Sequence, residues 1–100
     1  MADNDFGPVT PGEMLRDEFL VEYGLSQNKL AQAIGISPNR IADIVNNRRR
    51  ITADTAVRLG LYFGNSAEFW MNLQAHYDLK AARRDLPRED AERIRKRRAA

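Results

Sequence analysis

No cysteine occurs in the 100 residues, which removes disulfides, thiolate nucleophiles and the usual cysteine-built zinc sites together. Histidine occurs once, as His76, and a lone imidazole on a helical pattern is ordinarily a packing or surface residue. The serines are Ser26, Ser37 and Ser66, and each stands where a helix N-cap belongs. Without a metal-ligand cluster or a phosphate-cradling glycine loop, the chain has no candidate nucleophile and base pair, and no cofactor is expected. On this inventory no enzymatic activity is expected. No apolar run approaches the roughly 20 residues needed to span a bilayer, and residues 1–10 lack the basic-then-apolar pattern of a signal peptide. A cytoplasmic protein with no membrane partner is the expectation.

What is present is the composition of one globular domain, 43% hydrophobic and 30% charged. The net charge of +2 hides an uneven distribution. Residues 1–25 carry one base, Arg16, against six acids, a balance of −5; residues 40–58 stand at +3, and residues 80–100 at +5. A polyanion would be drawn to the middle and the tail.

The helix signals divide the chain. Thr10-Pro11-Gly12-Glu13 combines a cap, a first-turn proline and a capping-box glutamate, and predicts a helix from about Pro11 to Tyr23 closed by Gly24. Ser26 caps a second helix to about Ile34, ended by Gly35, and Ser37-Pro38 opens a third to about Asn46. Thr52 caps a fourth over roughly Ala53 to Phe63, and Ser66 a fifth out to about Ala82. After Pro87, Glu89 to Arg98 has the pattern of a final helix. With only Ala91 and Ile94 to bury, it is expected to fray or to be ordered by a partner. The fold class expected is all-α: a compact five-helix domain over residues 10–82, a flexible segment at 1–9, and a basic tail at 83–100.

Helices two and three have the requirements of a helix-turn-helix in register. Ala31 is the small residue at the helix approach, Gly35 lies in the turn, Leu30, Ile34 and Ile36 anchor the first half, and Ile41, Ile44 and Val45 the second. The outward set of helix three then includes Asn39, Arg40 and Asp43, side chains able to grip adenine, guanine and cytosine edges. These three are the candidates for reading bases in double-stranded DNA. Gln27, Asn28, Ser37, Asn47, Arg48, Arg49 and Arg50 surround that helix and are the candidates for holding phosphates.

One recognition helix reads one half-site, so a palindromic operator and a homodimer are expected. Phe69, Trp70, Leu73 and Tyr77 form an aromatic-rich stripe larger than a five-helix core readily covers, and are the candidate dimer interface. The run Arg93-Ile94-Arg95-Lys96-Arg97-Arg98 is either an added phosphate contact, an RNA contact or a solvated charge run.

The segment from Leu25-Ser26-Gln27-Asn28-Lys29-Leu30-Ala31 to Ile51-Thr52 resembles the XRE, or lambda-repressor-like, helix-turn-helix class. Thr10-Pro11-Gly12-Glu13, Asn39-Arg40-Ile41, Ile51-Thr52-Ala53-Asp54-Thr55-Ala56 and Glu68-Phe69-Trp70-Met71-Asn72-Leu73-Gln74 extend the resemblance to the HigA antitoxin family over about residues 8–79. That resemblance implies a dimeric DNA-binding domain that represses its own operon and neutralises a HigB-type, RelE-like ribonuclease toxin; the alternative is a stand-alone repressor. Asn46-Asn47 stands where such proteins often have Asn-Gly, so the left-handed cap falls to asparagine. A ribonuclease that grips RNA is expected to be basic, which makes the acidic Asp17, Glu18 and Glu22 the candidate toxin contacts.

Overall fold

The structure is a computed structural model that describes residues 9–98, in which six helices and no strands are found. The flexible segment expected at residues 1–9 lies almost wholly outside the described residues. Helix α1 spans residues 11–23 and begins as the capping box requires. The Thr10 hydroxyl accepts the Glu13 N–H, and the Glu13 carboxylate accepts the Thr10 N–H, both at 3.1 Å. Its middle departs from the expectation. After a first α-turn, Pro11–Met14, the stretch Leu15–Leu20 is π-helical, and Val21–Tyr23 closes the helix. The wider turn lets Leu15 and Leu20, five residues apart, both reach the core. Regular pitch would set them about 140° apart.

Helix α2 (Gln27–Ile34), α3 (Pro38–Val45), α4 (Ala53–Phe63) and α5 (Ala67–Asp85) start at Ser26, Ser37, Thr52 and Ser66, whose hydroxyls each accept the backbone N–H three residues on. Helix α5 runs one turn past the expected end near Ala82, because the chain is stopped only by Leu86, held extended before Pro87. Helix α6 (Arg88–Arg97) follows at once. It buries no residue, as its composition implied; Glu89 and Asp90 occupy its first turn and Arg95, Lys96 and Arg97 its last, an arrangement that complements the helix dipole. Arg93 also pairs with Asp90 at 2.9 Å.

The core draws on every helix but α6. Leu15, Leu30, Ile41, Ile44, Ile51, Leu59 and Trp70 are essentially inaccessible. Trp70 is ringed by Phe19, Phe69 and Phe63 at centroid distances of 4.9, 5.1 and 6.2 Å, and its indole N–H donates to Asn65 Oδ1 at 3.0 Å. Such ring pairs add roughly 0.5–1.5 kcal/mol each beyond their buried area. Helix α1 crosses α3 at Gly12, where a Cβ would stand 2.1 Å from the Ile44 carbonyl oxygen. The glycine of the capping box therefore serves the α1–α3 crossing that seats α3. No helix among the described residues is long and apolar enough to cross a membrane.

Candidate nucleic-acid interface

Between α2 and α3 the chain turns through Gly35, Ile36 and Ser37. Gly35 takes φ +76°, and the N–H groups of Gly35 and Ile36 both return to the Ala31 carbonyl, at 2.9 and 3.1 Å. Ala31 is 1% exposed, as a close helix approach demands. The turn is also latched from outside the motif. Arg58 of α4 donates from Nη1 to the Ile34 carbonyl at 2.8 Å, satisfying an end of α2, while Asp54 holds its Nε at 2.9 Å.

Burying Ile41, Ile44 and Val45 turns the rest of α3 outward. Asn39 is exposed, and Arg40 and Asp43 are half-buried. No carboxylate pairs with Arg40 among the described residues. Asp43 is engaged on one side: it accepts from Arg48 Nε at 3.4 Å and lies 3.8 Å from Arg49 Nη2. A carboxylate has about four acceptor sites, so these contacts leave Asp43 able to accept from a further donor.

After α3 the chain reverses at Asn47, which has φ +62° and is the sole non-glycine residue with positive φ among the described residues. The left-handed position thus falls on asparagine, as the Asn46-Asn47 pair required. Arg48, Arg49 and Arg50 follow, all exposed, and with Asn47, Gly12, Tyr77 and Asp78 they line an open cleft between the start of α1 and the middle of α5. Arg50 pairs with Asp78. Gln27 is half-buried and Asn28 exposed in the first turn of α2. The Ser37 oxygen accepts the Arg40 N–H at 3.1 Å, leaving its hydroxyl proton to donate.

The aromatic stripe divides. Trp70 is 0% exposed inside a single chain and has no surface to give a partner, which removes it from the candidate dimer interface. Three-six periodicity places it on the same broad face as its neighbours and cannot distinguish inner from outer members. Phe69 and Leu73 instead line a shallow groove with Asn72 and His76, and Tyr77 is 37% exposed. On α1, Asp17, Glu18 and Glu22 are exposed. The hydrogen bond from Arg16 holds the Asp17 carboxyl below the ordinary aspartate range.

Sequence patterns give no tertiary contact to four residues that shape this surface: Gly12, Arg58, Gln74 and Asp78. The one local signal was Gln74, a polar residue one turn after Trp70 on a face otherwise apolar.

The helix-turn-helix family profile matches residues 15–70. Virulence-associated protein I of Dichelobacter nodosus is 51% identical over 82 residues, which cover 82% of this chain and 76% of that one. Among solved structures, PA4674 of Pseudomonas aeruginosa in complex with its operator DNA superposes with a TM-score of 0.82 at 46% identity, covering 86% of this chain and 92% of that one. Pseudomonas aeruginosa antitoxin HigA with the higBA promoter gives a TM-score of 0.77 at 46% identity, covering 90% and 94%. With the helix-turn-helix geometry, the arginine loop and these relatives in agreement, the chain belongs to the HigA-type branch of the helix-turn-helix family.

Proposed function

We propose that this protein is a DNA-binding antitoxin that represses its own operon and neutralises a basic, RelE/HigB-like ribonuclease toxin. The observation that carries the DNA reading is Arg40, without a carboxylate partner among the described residues, on an outward-facing α3 that Arg48, Arg49 and Arg50 follow after its C-terminal end. Asn39, Arg40 and Asp43 read base edges in the major groove; Gln27, Asn28, Ser37, Asn47 and the three arginines hold the backbone. Two copies pair through Phe69, Leu73 and Tyr77 to match a palindromic operator, and the exposed acids Asp17, Glu18 and Glu22 meet the toxin. The relatives solved with operator or promoter DNA support the first of these roles.

The test is an electrophoretic shift on the DNA upstream of the protein's own gene, against a scrambled duplex. Wild-type protein binds the upstream DNA selectively. Arg40→Ala loses about 1–3 kcal/mol of that selectivity, while retaining its affinity for the scrambled duplex. Equal binding to both duplexes by the wild type overturns the reading. Co-purification with the adjacent gene's product, abolished by reversing the charges of Asp17, Glu18 and Glu22, tests the toxin role.

A further inference from the structure

The buried polar side chains among the described residues are Thr10, Thr55 and Gln74. Thr10 caps a helix, and the Thr55 hydroxyl is met by that of Thr52 at 3.3 Å. Gln74 is different, for it is 4% exposed in the middle of α5, where leucine would fill the core without needing partners. An amide is tolerated there only if both its ends are satisfied, and both are. Oε1 accepts the Ile51 N–H at 2.7 Å, and Nε2 donates to Asp78 Oδ1 at 3.0 Å. The other oxygen of Asp78 takes Nη2 of Arg50.

We infer that Gln74 and Asp78 are positioning residues for the arginine loop, a relay from α5 that fixes the backbone after Arg50 and aims its guanidinium. The inference rests on the phosphate-holding role given to Arg50 above. The loop needs such a device. Its first end is set by Asn47, whose N–H returns to the Ile44 carbonyl at 3.0 Å, and by the Arg48 N–H on the Asp43 carbonyl at 2.7 Å. Its second end is Ile51, 1% exposed, whose N–H has Gln74 as its partner. Arg50 is the last residue before that pin. Asp78 engages Nη2, which leaves the remaining guanidinium donors for a phosphate. An arginine so oriented surrenders less side-chain freedom when it binds.

The experiment measures affinity for the upstream DNA at several salt concentrations, with amide exchange at Ile51, for Gln74→Leu, Asp78→Asn, Arg50→Ala and the doubles with Arg50→Ala. Arg50→Ala lowers affinity about fivefold and reduces the salt slope by about one. Gln74→Leu exposes the Ile51 N–H to faster exchange and reproduces most of that loss. Asp78→Asn, which leaves the core untouched, weakens binding about threefold. Neither weakens it further when Arg50 is alanine. Should Gln74→Leu fail to fold, Asp78→Asn in the two backgrounds decides the matter. Equal losses in both backgrounds reduce the pair to a structural role and overturn the inference. If Arg50→Ala weakens binding but Asp78→Asn does not, the relay alone fails. If Arg50→Ala changes neither affinity nor slope, the phosphate role of Arg50 falls first and the relay with it.

Discussion

Arg58 of α4 donates from Nη1 to the carbonyl oxygen of Ile34, 24 residues earlier, at 2.8 Å. This bond fastens the turn between α2 and α3 to a helix outside the motif. Replacing Arg58 by methionine keeps most of the side-chain bulk and removes the bond, and is expected to destabilise the protein by about 1 kcal/mol. The urea midpoint reads this directly. An unchanged midpoint would show that water satisfies the Ile34 carbonyl equally well.

Gly12 and Gly24 are expected to respond differently to alanine. At Gly12 the new methyl meets the Ile44 carbonyl at 2.1 Å, so α1 must shift off α3, a cost of about 2–3 kcal/mol. At Gly24 nothing lies within 4 Å, and only φ +61° is unfavourable, a cost of about 1 kcal/mol. Thermal unfolding of the two variants gives the order. The reverse order would mean that the α1–α3 crossing can relax.

Asn47→Gly relieves a left-handed backbone and is expected to raise stability by about 0.5–1 kcal/mol. The same change removes an amide proposed to hold phosphate, so DNA affinity falls severalfold. Stability and affinity rising together would strike Asn47 from the interface.

Asp17 is expected to titrate below the usual aspartate value of about 3.9. Its folded pKa is depressed, so its contribution to stability is present above the unfolded pKa and is lost as pH falls through the folded one. A carboxyl-detected NMR titration measures this, and Arg16→Ala returns Asp17 to the ordinary value. A titration unmoved by Arg16→Ala would trace the depression to another source.

What the sequence made legible was local. Thr10, Ser26, Ser37, Thr52 and Ser66 announce helix starts because a cap bonds three residues ahead, and Gly24 and Gly35 announce ends because each adopts positive φ. Asn39 and Arg40 could be singled out once Ile41, Ile44 and Val45 were assigned inward. What escaped was contact between distant segments. The partners of Arg58 and Gln74 lie 24 and 23 residues away, at separations no periodicity encodes. Trp70 was assigned to the right face and the wrong depth, because depth depends on Phe19 and Phe63 arriving from α1 and α4.

The wide turn in α1 makes the length of that helix an indexed quantity. Tyr23 stacks edge-on against Phe63 at 5.0 Å, and Glu22 sits beside it, only because Leu15–Leu20 absorbs one more residue than a regular pitch would. Winding α1 regularly with every residue kept would swing everything after that stretch by about 100°. Tyr23 would leave Phe63, and the acidic face would point elsewhere. A graft that regularises α1 would therefore preserve its sequence composition and lose its aim.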